Sequence, residues 1–135
     1  MGKKARLLPV FLWLCLLLGC GAAAGEGVTR ALLIGCDHFL SMEDTAPVSA
    51  NNVSQMIQVL SGGSLNMESM VTRRAGLSGM AELEELVSMA FGAATQEDTS
   101  YFYLSTHGIW TADQANADVT FLLSDGRSEE GITAR

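Results

Sequence analysis

Residues Ala31-Leu32-Leu33-Ile34 form an apolar run without alternation, flanked by Arg30 and Gly35. A strand with one wet face alternates apolar and polar side chains, because successive residues point to opposite sides of the sheet. A continuous run is expected where both sides are covered, as in a parallel sheet with helices above and below. The following segment is periodic in a different way. Val53, Met56, Ile57 and Leu60 fall at i, i+3, i+4 and i+7, a helical stripe, with Ser49 placed to cap its start and Gly62-Gly63 to stop it. Ser69–Arg73 reads as a second, weaker strand. Leu83, Leu86, Val87, Ala90 and Phe91 make the apolar face of a second helix, with Glu82, Glu84 and Glu85 directed to solvent. Asp98-Thr99 turns into a third strand over Ser100–Thr106, and after a polar loop Val119–Leu123 reads as a fourth. Ser124-Asp125-Gly126 is a turn, and Gly131-Ile132-Thr133 is expected to lead into a further helix capped by Thr133. The order β-α-β-α-β-loop-β implies right-handed crossovers, hence an α/β fold whose mostly parallel sheet carries helices on both faces. One domain is expected over 29–135, incomplete at its C-terminus, where a third helix and another core strand would follow.

The N-terminus reads as an export signal rather than as part of the fold. Lys3, Lys4 and Arg6 precede an apolar core from Leu7 to Leu18. That core is about a dozen residues long, short of the ~20 needed to span a bilayer as a helix. Leu17-Leu18-Gly19-Cys20 is similar to a bacterial lipobox, in which Cys20 would carry the lipid; Ala22-Ala23-Ala24 offers an ordinary signal-peptidase site instead. Residues 1–20 are accordingly assigned to the signal and 21–28 to a linker. A bacterial protein is expected, exported either as a cell-surface lipoprotein, attached to the membrane through Cys20, or in secreted form.

Processing after residue 19 removes Lys3, Lys4 and Arg6 and leaves five Arg against fifteen acidic residues, a formal charge of −10. With no basic stripe to neutralise phosphates, a nucleic-acid partner is not expected. Cys15 and Cys20 belong to the signal region, so Cys36 alone enters the fold and no disulfide framework is possible there. Cys36-Asp37-His38 is too compact for metal ligation without a second ligand pair, and neither a metal nor another cofactor is expected.

Candidate chemistry is concentrated in Tyr101-Phe102-Tyr103-Leu104-Ser105-Thr106-His107-Gly108. An aromatic strand ends in a polar turn that presents a histidine. In open α/β sheets, ligands collect beyond the carboxyl ends of the strands. An imidazole exchanges protons near neutral pH, and glycine after it lets backbone approach a reacting carbonyl, with its N–H available to a developing oxyanion.

Taken together, Arg30-Ala31-Leu32-Leu33-Ile34-Gly35, Ser49-Ala50-Asn51-Asn52-Val53 at a helix start and the strand ending in Thr106-His107-Gly108 resemble the caspase-like cysteine peptidases. This group (clan CD) includes caspases, metacaspases, legumain and gingipains. Phe121-Leu122-Leu123-Ser124-Asp125-Gly126 and Gly131-Ile132-Thr133 are similar to the stretch between the group's catalytic histidine and its next helix. The resemblance runs from about Arg30 to the last residue. It implies a three-layer caspase-like fold, a peptide or protein substrate, and endopeptidase chemistry by a Cys-His dyad. His107 would be the acid/base and Gly108 the oxyanion donor, while the nucleophile would follow the next core strand, beyond Arg135. In such enzymes the loop after the first strand helps line the substrate pocket, which makes Asp37 and Asp44 candidate substrate-binding residues. An acidic pocket there would favour Arg or Lys in the substrate.

Cys36 reads as a small buried side chain; a substitute nucleophile is the competing reading. His38 reads as a loop histidine. Two other functions fit the same residues. A non-catalytic relative would keep the sheet as a binding or scaffold module. A flavodoxin-like domain would make the His-Gly turn coincidental, although Asp37–Ala50 is too long and acidic for a phosphate-binding loop.

Overall fold

The computed structural model describes residues 27–110 and 119–133. The segment read as an export signal, Cys20 included, lies outside the described residues. Strand β1 spans Thr29–Gly35, helix α1 Val48–Gly62, β2 Met67–Arg73, α2 Met80–Phe91 and β3 Thr99–Ser105, followed by β4 Gly108–Trp110, β5 Val119–Ser124 and β6 Glu129–Thr133. No helix among the described residues is long and apolar enough to cross a membrane.

The fold is α/β. β1 is central in a parallel sheet of order β2-β1-β3. Ala31, Leu32, Leu33 and Ile34 are all fully buried, which accounts for the uninterrupted apolar run. Alternate residues go to opposite faces. Ala31 and Leu33 pack with Val53 and Leu60 of α1, while Leu32 and Ile34 pack with Leu83 and Ala90 of α2. The chain steps from β1 outward to β2, then back past β1 to β3. Crossovers of one hand therefore place α1 and α2 on opposite sides. Each buried Leu or Ile of β1 stabilises this arrangement by about 1.5–3 kcal/mol.

Three local expectations are corrected. Ser49 does not cap α1, which begins at Val48 behind Pro47 and has no capping side chain of its own. Glu82 does not simply face water: it accepts hydrogen bonds from the Ser78 N–H and hydroxyl and pairs with Arg73. The largest correction concerns the C-terminal third. β5 does not extend the parallel sheet; it pairs antiparallel with β4 and with β6 in a second three-stranded sheet. Gly131-Ile132-Thr133 is part of β6 and not a helix approach, and the Thr133 hydroxyl meets that of Thr120 across the strands at 3.1 Å. The physical reason is the tight Ser124–Ser128 turn. The Asp125 carboxylate accepts the N–H groups of Arg127 and Ser128, both at 2.8 Å, so the chain reverses and pairs with itself.

Candidate functional site

The carboxyl ends of β1 and β3 lie side by side, with Gly35 opposite Ser105. The Cys36 N–H donates to the Ser105 carbonyl at 2.9 Å and continues the pairing one residue past the strand. The antiparallel sheet is fastened over this end. The Thr106 hydroxyl donates to the Leu122 carbonyl, and the Leu122 N–H donates to the His107 carbonyl at 2.9 Å. The Gly76 N–H reaches Gly35 O at 3.0 Å, and the Leu77 N–H reaches Ser124 O at 3.1 Å. His107 thus sits at the seam between the two sheets. Its side chain is half-buried, with the ring centroid 4.8 Å from that of Phe39 and the planes tilted by 59°. Gly108, next in the chain, is exposed and opens β4 opposite Phe121. A side chain there would press on Val119, since a Cβ would lie 3.2 Å from Val119 Cγ1.

The Cys36-Asp37-His38 triplet diverges. Cys36 is fully buried. Burial pushes its thiol pKa up, with only partial relief from hydrogen bonds involving Ser124, Leu77 and Thr106. A thiol that resists ionisation and has no exposure is a poor nucleophile. Asp37 is 4% exposed and turns toward α1. Its carboxylate accepts the Ser49 N–H at 2.7 Å, the Ala50 N–H at 2.8 Å and the Thr45 hydroxyl at 3.0 Å. It occupies the place of the missing N-cap, supplied from the end of β1 instead of from the helix. Burial opposes its ionisation, but these hydrogen bonds outweigh burial and hold the carboxyl below its usual range.

His38 points outward and pairs with Asp44, Nδ1 to Oδ2 at 2.8 Å, both side chains about half exposed. The hydrogen bond to Asp44 raises the pKa of His38, and the same bond lowers that of Asp44. Asp44 also accepts the Phe39 N–H at 2.9 Å. The two acidic residues singled out in the sequence therefore differ: Asp44 is at the surface of the loop, and Asp37 is within its base.

No protein-family model, curated protein or solved structure matches the chain. The site is thus characterised by its own geometry.

Beside it lies an open apolar cleft of about 410 Å³ lined by Phe102, Leu104, Phe121, Ile132 and Thr133. It joins β3 to the antiparallel sheet, and His107 is not among its walls. Three features of the site were not anticipated from sequence. Phe39 is the aromatic residue of the β1–α1 loop and is buried while its neighbour Leu40 is exposed. Glu129 accepts the Leu40 and Ser41 N–H groups from β6. Gly76, at φ +84°, leaves space that a Cβ would fill at 1.9 Å from the Ser124 carbonyl oxygen.

Proposed function

We propose that this chain carries the acid/base histidine of an exported caspase-like cysteine endopeptidase. The observation that carries the reading is the position of His107-Gly108: it lies one residue beyond β3, past Thr106, at the carboxyl end of a parallel sheet, beside the end of β1. This is where α/β sheets place their chemistry. In the proposed reaction His107 takes the proton of a cysteine thiol, and the thiolate attacks a peptide carbonyl. Gly108 N–H and the cysteine's own N-H stabilise the oxyanion. The imidazolium then protonates the leaving amine, giving an acyl-enzyme that water hydrolyses. Cys36 is too deeply buried for the nucleophile's part; the resemblance implies a cysteine that follows the next core strand. Asp44, exposed on the β1–α1 loop, is the better placed of the two acidic candidates to meet a basic substrate side chain, with Asp37 holding the loop's base. Attachment to the membrane through a lipid on Cys20 belongs to the same proposal.

A second reading is favoured by the buried state of Cys36. A half-buried histidine whose domain offers, among the described residues, only a buried thiol fits a non-catalytic scaffold of the same fold. The two readings separate in one experiment on the full-length protein. A peptide-based thiol-trapping probe should label it, with the labelling rate falling by ~10²–10⁴-fold in His107→Ala, the usual contribution of an acid/base residue. Cys36→Ala should label like the parent. Labelling that is absent from the parent favours the scaffold, and labelling indifferent to His107→Ala removes His107 from the mechanism.

A further inference from the structure

We infer that Phe39 is a positioning residue for His107, and that the loop carrying it is pinned by carboxylates for that purpose. Its catalytic meaning rests on the function proposed for His107; its structural content does not.

Phe39 lies in the β1–α1 loop between two outward-facing residues, His38 and the 59%-exposed Leu40. It is itself 7% exposed and belongs to the core cluster with Leu77, Leu122 and Leu123. The inward turn is held at the backbone. The Phe39 N–H donates to Asp44 Oδ1 at 2.9 Å, and the next two N–H groups, of Leu40 and Ser41, donate to Glu129 Oε2 at 2.7 and 3.3 Å. Three successive N–H groups thus find carboxylate acceptors, and such charge-assisted bonds are stronger than neutral ones. Asp37 fixes the base of the loop against α1.

Glu129 belongs to β6, in the same antiparallel sheet whose first strand begins at Gly108. That sheet also holds the His107 carbonyl through the Leu122 N–H. The Phe39 backbone and the His107 backbone are therefore referenced to one body, and their rings meet at 4.8 Å and 59° within the favourable range for tilted aromatic pairs. An imidazole just past a strand end turns about two side-chain bonds. A flat ring fixed on one side removes the orientations that would swing through it. A residue that merely filled core volume would need neither the aromatic face nor the remote carboxylate.

The test uses full-length protein with ¹⁵N-labelled histidine, the His107 ring signals being assigned by their loss in His107→Ala. Phe39→Leu fills most of the volume but offers no flat face. It should move the His107 ring-proton signals and change the balance of ring tautomers. It should also lower the maximal rate of probe inactivation by about 10-fold with probe affinity unchanged, as expected for misplacement of a reacting group. Phe39→Tyr should restore both. Glu129→Ala, which leaves the core intact, should move the same ring signals in the same direction. If Phe39→Leu or, should that variant fail to fold, Glu129→Ala keeps the parent's His107 signals and inactivation rate, the inference is overturned. Ring signals that move in Phe39→Leu while labelling ignores His107→Ala uphold the positioning and overturn the peptidase reading. Unmoved ring signals with labelling abolished by His107→Ala do the reverse.

Discussion

Asp37 shows how one side chain ties a loop, a helix and a sheet together. It leaves the end of β1 and satisfies two of the orphan N–H groups at the start of α1. Because its pKa is lowered in the folded protein, its contribution is present in full above the unfolded value of ~3.9 and is lost as pH falls through the lower folded value. Asp37→Asn should cost about 2 kcal/mol at pH 7, the sum expected for a lost cap and charge-assisted bonds. The gap to the parent should close on acidification. Urea unfolding of both proteins at pH 7 and pH 3 checks this, and equal midpoints at pH 7 would contradict it. The His38–Asp44 pair has two limits. The raised pKa of His38 gives a contribution complete below ~6.5 and lost as pH rises through the raised value; the lowered pKa of Asp44 gives one complete above ~3.9 and lost as pH falls. The pair is fully formed between roughly pH 4 and 6.5, and as a surface pair it matters for loop order more than for global stability.

Among the elements, the two helices and the first three strands follow from their own residues. The antiparallel sheet does not. Val119–Ser124 ends in fully buried Leu123 and Ser124, and its apolar content fits an inner parallel strand equally well. Its direction is decided by the Asp125-centred turn and by the pairing of Phe121 with Ile132. The sheet's seat on β1 depends on the loop before α2. There Gly76 adopts a left-handed conformation, and its backbone touches that of Ser124 too closely for any side chain. Gly76→Ala should therefore destabilise the protein by at least ~2 kcal/mol, more than a helix-interior Gly→Ala exchange would suggest. It should also release the Leu122 amide, whose partner is the His107 carbonyl, to faster hydrogen exchange. Unaltered stability and exchange would show that the contact yields without cost.

At the scale of the whole molecule, β1 divides two cores. Leu33→Ala opens the core shared with α1, and Leu32→Ala the core shared with α2 and the antiparallel sheet. Each should cost about 2–5 kcal/mol in chemical denaturation, as buried Leu→Ala exchanges do. Native-state hydrogen exchange should tell them apart, with α1 amides opened more by Leu33→Ala and β5 amides by Leu32→Ala. The same exchange pattern in both would argue for a single undivided core. The doubly covered parallel strand, the two helical stripes apart from Val87, which is 38% exposed, and the location of His107 at a strand's carboxyl end were all determined by the sequence alone. Each depends on periodicity or on a run of adjacent residues, and solvent exclusion acts on those patterns locally. Which acidic residues turn inward, the reversal of β5 and β6, and the meeting of Phe39 with His107 were decided only by tertiary structure. These rest on hydrogen bonds and ring contacts between residues far apart in the chain, such as Leu40 and Glu129, and no local pattern encodes which distant partner a polar group or ring will find.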